Sequence, residues 1–257
     1  MNKLKSKFQN REITFGAWVS FAHPSITEIF AAHSFDFLAI DMEHTTISLE
    51  QAQRIIAASQ SFDVPCLPRP VSHSVEWIKP LLDSGADGVI APLVSSAHDI
   101  KNLSNAVNFP PKGRRSFGVN RAHGYGSKFN SYITEWNERS ILIAQIETKE
   151  SVRQIDSITN EKSLDGIMIG PYDLSGSLGV PGQIDHPLVQ EAEQIVIEEC
   201  RKKNLSCGTQ LSNFNISNVM IALEKGYTFI IASSDLFVLN QWAVSAQKII
   251  EGFNGKK

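Results

Sequence analysis

Short apolar runs and stretches of helical spacing take turns along this chain. Runs over residues 15–19, 35–41, 64–70, 87–93, 141–146, 164–170, 205–211 and 227–232 predict eight strands. Between them, residues 26–33, 49–59, 75–82, 97–107, 151–158, 187–203 and 215–225 carry apolar residues at helical spacing, and a last helix is predicted over about 236–250. Ser48 is placed to cap the second of these helices, Pro187 sits in a first turn, and Gly85 and Gly226 stand where helices end. The run D-F-L-A-I-D is almost continuously apolar, which suits a strand covered on both faces. The run V-P-C-L-P-R-P is awkward for a central strand because proline donates no ladder hydrogen bond. Residues 109–126, rich in Gly and Arg, and the Gly-rich residues 174–185 read as long loops, which in compact domains are usually functional or mobile.

Eight strands alternating with helices over 257 residues predict a (β/α)8 TIM barrel. A doubly wound open sheet is the competitor, weakened because no G-x-G-x-x-G follows the first strand. No linker interrupts the pattern, so residues 1–257 are expected to form a single domain. Residues 1–12 are expected to be a flexible arm, because the first ten are polar and basic without an apolar core.

Composition narrows the partners. A net charge of −3 and a pI near 6.2 give no support for nucleic acid or an anionic membrane. No apolar run is long enough to span a bilayer. Cys66, Cys200 and Cys207 lack metal-ligand spacing and read as reduced thiols of a cytoplasmic protein.

The strand ends carry the candidate chemistry. Barrel strands open their C-terminal ends onto one face. There the sequence offers Asp41, Glu43, His44, Arg69, Gln145, Glu147, Asp173 and Gln210. Glu147 and Asp173 end consecutive strands, and two acids that close repel unless neutralised. A divalent cation such as Mg²⁺ or Mn²⁺ is the usual remedy; two solvated acids are the plain alternative. A cation there would act as a Lewis acid on a 2-oxo acid. Arg69 would stabilise the developing oxyanion, and His44 would move protons, a task to which histidine as a residue type is suited near neutral pH. Alone, each is equally a loop histidine or an arginine paired to a neighbour. Glu43 is given no role. Asp83, at a helix C-terminus, opposes the dipole there.

The motifs F-D-F-L-A-I-D-M-E-H, P-R-P, L-L-D-S-G-A, P-P-K-G-R-R, Q-I-E-T and G-P-Y-D-L-S occur in order and cover roughly residues 15–232. In these the chain resembles the HpcH/HpaI aldolase family. The resemblance implies a barrel of the phosphoenolpyruvate/pyruvate type and divalent-metal-dependent aldol chemistry on pyruvate and an aldehyde, with Mg²⁺, Mn²⁺ or Co²⁺ as cofactor. It implies Glu147 and Asp173 as metal ligands, His44 as base and Arg69 as stabiliser of the enolate. Gln145 and the backbone at Tyr172 and Asp173 would hold the pyruvyl end. Asp83 would raise the basicity of the histidine from a neighbouring subunit. It further implies a homohexamer, a dimer of trimers exchanging a C-terminal helix, here within residues 236–257. Tyr172 stands where many members have alanine, and Thr45-Thr46 replaces Ala-Pro after the E-H box, so the aldehyde side is expected to differ.

Two other classes fit the same residues: an isomerase or epimerase working through an enolate, and a non-catalytic 2-oxo-acid binder. A Schiff-base aldolase would need a desolvated strand lysine; no predicted strand contains one.

Overall fold

The structure, a computed structural model, describes residues 3–254. Its strands are β1 (Thr14–Val19), β2 (Phe37–Asp41), β3 (Cys66–Arg69), β4 (Gly88–Ala91), β5 (Ile141–Ile146), β6 (Gly166–Ile169), β7 (Ser206–Leu211) and β8 (Phe229–Ser234). They form one parallel sheet in the order β3-β2-β1-β8-β7-β6-β5-β4, and helices connect consecutive strands. The fold is the (β/α)8 barrel, with an outer core between strands and helices and an inner core inside the ring.

The ends of the sheet, β3 and β4, meet without a regular ladder. Asp87 closes the seam: its N–H donates to the Cys66 carbonyl at 3.0 Å, and its carboxylate accepts from the Cys66 N–H at 3.0 Å and Gln60 Nε2 at 2.9 Å. This accounts for the prolines of β3. The Pro65 and Arg69 carbonyls bond to β2, whereas both Cys66 backbone groups face β4. Backbone groups alternate sides along a strand, so Pro68 turns its missing donor to the open seam and costs no ladder bond.

The expected flexible arm is instead partly a helix, Lys3–Gln9, with Leu4 and Phe8 buried in the inner core. Phe8 stands edge-on to Phe229 with ring centroids 5.2 Å apart, stopping the lower end of the barrel. Lys5 pairs with Asp165 at 2.9 Å and Lys7 with Asp36 at 2.6 Å. Two apolar residues one helical turn apart suffice here, since burying a phenylalanine stabilises by roughly 2–3 kcal/mol. Gly16 and Gly208 make this layer possible: a Cβ at either would collide with the Phe37 or Phe229 ring.

The Arg/Gly stretch 109–126 holds a 3-10 segment, Arg121–Gly126, and is followed by a helix the pattern did not predict, Phe129–Arg139; the helix Pro171–Ser177 runs into the start of the Gly-rich stretch. The helix predicted over 151–158 is two short ones, Lys149–Arg153 and Ile155–Thr159. Ser48 caps Leu49–Gln60 through a capping box with Gln51, and Gly226 ends Ile216–Lys225 at φ 109°.

The final helix, Asp235–Asn254, leaves apolar side chains in water: Trp242 is 71% exposed, Ile249 63% and Phe253 73%. In a barrel, a helix after β8 would lie between Ile216–Lys225 and Pro24–Ala31. On those helices Met220, Ile221 and Ile29 are at least half exposed. Among the described residues no helix is long and apolar enough to cross a membrane.

Candidate active site

Period-2 geometry aims the strand-end residues inward. Ile141 and Ile143 lie in the inner core, so Gln145 continues the same face upward. By the same alternation Phe37 and Ala39 lead to Asp41, and Leu67 leads to Arg69. These side chains bound a cavity of about 530 Å³ at the C-terminal end of the barrel. Its described lining includes His44, Gly170, Tyr172, Asp173 and Gln210.

A polar chain crosses this floor. Asp41 accepts a hydrogen bond from Arg69 Nε at 3.2 Å and forms an ion pair with its Nη2 at 2.9 Å. Arg69 Nη1 donates to Gln145 Oε1 at 3.2 Å, and Gln145 Nε2 donates to Glu147 Oε2. Glu147 Oε1 accepts the N–H of Leu93. That amide is aimed by a left-handed backbone, φ 51° at a non-glycine residue, the kind of strain that clusters at functional sites. The Arg69 guanidinium lies 4.6 Å above the Trp18 ring and is buried. Gly170 leaves the space for this packing: a Cβ there would meet Glu147 Oε2 at 2.9 Å and Gln145 Nε2 at 3.0 Å.

Carboxylates crowd the site. Glu147 is buried, and its carboxyl is pushed above the usual carboxylate range by burial and by the charges of Glu43 and Asp173. Glu43 is raised too, first by burial and then by Asp41 and Asp173, against the pull of Arg69 and His44. Its Oε2 lies 3.3 Å from Arg69 Nε but makes no hydrogen bond. Arg69 is thus the one arginine shared by Asp41 and Glu43, and the crowded acids leave room for a further positive charge.

The structure brings Arg69, Gln145, Tyr172 and Asp173 to one cavity, with His44 on its lip and Glu147 buried behind Gln145 and Gly170. The His44 side chain is 59% exposed, its Nε2 3.5 Å from Glu43 Oε2. Asp173 occupies the first turn of Pro171–Ser177 and is exposed. Asp83 does not join them within one chain. It ends the helix Val75–Asp83, which leads into the opposite end of β4, and it pairs with the buried Arg115 at 2.7 Å. Arg115 is wrapped by Phe109, Tyr132 and Trp136, its guanidinium 4.6–5.6 Å from their ring centroids. Glu43, left without a role from sequence, belongs to the site. Its one signal was its place between Asp41 and His44 at a strand end.

Barrel and site together describe a carbon–carbon lyase of the aldolase type, and comparison with known proteins agrees. Residues 14–241 match the model of the HpcH/HpaI aldolase/citrate lyase family, and the chain belongs to that family. It is 32% identical over 209 residues to 2-keto-3-deoxy-L-rhamnonate aldolase of Shigella boydii, covering 80% of this chain and 78% of that one. It is 31% identical over 243 residues to hydroxypyruvate/pyruvate aldolase of Roseobacter denitrificans, covering 93% of each. The crystal structure of a Burkholderia cenocepacia family member superposes with TM-score 0.91 at 26% identity, over 98% of this chain and 100% of that one. The citrate synthase SbnG superposes at 0.84 with 26% identity over 99% of both chains.

Proposed function

We propose that the chain is a divalent-metal-dependent pyruvate aldolase, cleaving a 4-hydroxy-2-oxo acid reversibly to pyruvate and an aldehyde. One observation carries this reading: the buried Glu147 is hydrogen-bonded through Gln145 to a desolvated arginine while neighbouring carboxylates press on it. Glu147 and Asp173 would hold the cation. Among the described residues no group of three or more His, Cys, Asp or Glu side chains is assembled for a metal. Two carboxylates, with water and substrate completing the shell, suit Mg²⁺ or Mn²⁺ better than Zn²⁺. When bound, the ion supplies Lewis acidity towards the 2-oxo group.

The protein's own groups do the rest. The amides of Tyr172 and Asp173 are the second and third of a helix and have no intrahelical carbonyl to donate to, so they are free to meet the substrate carboxylate. Arg69, oriented by Asp41 and Gln145, faces the oxygen that gains charge as the enolate forms. His44, directly or through water, takes the 4-hydroxyl proton as the C3–C4 bond breaks. The aldehyde leaves, and the enolate carbon recovers a proton to become the pyruvate methyl group. In the test, purified enzyme releases pyruvate from a 4-hydroxy-2-oxo acid, read with coupled lactate dehydrogenase. EDTA should stop release and Mg²⁺, Mn²⁺ or Co²⁺ should restore it; cleavage untouched by EDTA would remove the metal from the mechanism.

The same reading extends to assembly. The exposed apolar face of Asp235–Asn254 and the exposed Met220, Ile221 and Ile29 support exchange of this helix between copies, in a hexamer of 28.4 kDa chains. A neighbouring copy's Asp83, held by its Arg115, would then support His44, which Asp83 cannot reach in its own chain. Light scattering should report that hexamer; a fully active monomer would refute both statements. A cytoplasmic location is proposed with it, supported by three buried free thiols and checked by cell fractionation.

A further inference from the structure

Asp235 is a buried acid with no part in the reaction steps above. It opens the final helix, directly after β8. That helix does not need it as a cap, because Ser234 Oγ already accepts the Phe237 N–H at 3.2 Å. Asp235 turns its two oxygens mainly to β1. Both accept from the Ser20 N–H, at 2.9 and 3.0 Å, and Oδ2 accepts from the Phe21 N–H at 2.9 Å; Oδ1 also takes the Leu236 N–H at 2.8 Å. Ser20 and Phe21 lie just past the end of β1, beyond its last ladder partners. Burial pushes the Asp235 carboxyl above the usual carboxylate range, although these three amides pull it down. The backbone bends to deliver it. Ser233 is left-handed at φ 63°, and its Oγ donates to the Ser212 carbonyl at 3.0 Å. A strained residue and a buried acid at one strand end are both costly, and they persist where geometry has to be held.

What this clasp holds lies next to Arg69. Trp18 and Ser20 are two positions apart, so they face one side, and both border the cavity. The Trp18 ring is the surface on which the Arg69 guanidinium lies, 4.6 Å from the ring centroid. Trp18 Nε1 is buried and has no hydrogen-bond partner among the described residues. The ring therefore has no polar tether of its own, and its place follows from packing and from the backbone of β1. Movement of the β1 end would carry the ring away from beneath the guanidinium. A misplacement of about 1 Å at a reacting centre can cost about 10²-fold in rate.

We infer that Asp235 is a positioning residue: by clasping the end of β1 to the start of the last helix it sets the Trp18 ring, and through that ring the Arg69 guanidinium. The inference rests on the pyruvate-aldolase reading and adds to it a residue that touches neither substrate nor metal. Asp235→Asn keeps the shape but offers an NH₂ group to N–H groups that need an acceptor. With metal content and circular dichroism as in wild type, it should lower kcat for retro-aldol cleavage about 10–30-fold and leave KM within about 2-fold. Trp18→Leu removes the ring through which Asp235 acts, so adding Asp235→Asn to it should cost less than about 3-fold more. Fluorine NMR of protein labelled with fluorotryptophan, with the Trp18 line identified by its loss in Trp18→Phe, should show that line displaced in Asp235→Asn. Unchanged kcat, a rise in KM alone, losses that multiply in the double variant, or an unmoved Trp18 line each overturns the inference. Should Asp235→Asn not fold, Asp235→Ser, which brings no amide donor, is read by the same criteria. The fluorine measurement needs no turnover and keeps the two readings apart. A wild type that cleaves no 4-hydroxy-2-oxo acid defeats the aldolase reading, whereas an active wild type whose Trp18 line ignores Asp235→Asn defeats this inference alone.

Discussion

Glu147→Gln should lose both the bound divalent ion and turnover, with kcat falling on the order of 10³-fold. The substitution keeps size and shape but removes the negative charge. The amide side chain would still offer one oxygen to the Leu93 N–H, so the loop after β4 should stay in place. Its NH₂ group would face the Gln145 amide, which now donates to Glu147, and two donors cannot bond each other. The Gln145 side chain must then turn, and Arg69 Nη1 loses its acceptor. Metal content by mass spectrometry, circular dichroism and retro-aldol rate would separate the effects. A folded variant that keeps its metal and near-wild-type turnover would take Glu147 out of the mechanism.

Arg69→Lys should be nearly as damaging, with kcat down on the order of 10²–10³-fold and KM changed far less. The planar fork of Arg69 hydrogen-bonds Asp41 through Nε and Gln145 through Nη1, pairs ionically with Asp41 through Nη2, and stacks on Trp18. A lysine ammonium is a compact point charge and cannot hold these directions together. The positive charge survives, so ground-state attraction for a keto acid is largely kept. What is lost is its alignment with the oxygen that gains charge. Steady-state kinetics on a 4-hydroxy-2-oxo acid would decide it. A rise in KM with unchanged kcat would make Arg69 a substrate anchor instead of a stabiliser of the enolate.

Much of the site was legible because barrel strands end abruptly: an apolar run stops, and the next inward position is polar. Asp41, Arg69, Gln145 and Glu147 carry that signal. Glu43 does not, because its burial arises from the turn after β2 folding back over Arg69, a contact absent from linear pattern. Asp83 and Arg115 are 32 positions apart, and their pairing depends on the Arg/Gly segment lying against the helix Val75–Asp83. The helix Lys3–Gln9 escaped because two apolar residues make a faint pattern beside five polar ones. Its spacing, Leu4 to Phe8, was nevertheless helical. Pro171–Ser177 was hidden by Gly176 between Ser175 and Ser177, residues that suggest a loop whenever packing is not visible. The prolines of β3 misled for the opposite reason. The rule against them in central strands is sound, but it assumes a ladder on both sides.

The stopper at the lower end of the barrel bears on how the chain is made. All the strands from β1 to β7 lie between Phe8 and its ring partner Phe229 in the chain, so their contact forms only after those strands have been made. Until β8 is synthesised the helix Lys3–Gln9 has no finished floor to enter, and Phe8 stays exposed while the intervening strands emerge. A stall before β8 would leave an unplugged ring, the species on which a chaperone that binds extended apolar segments should act.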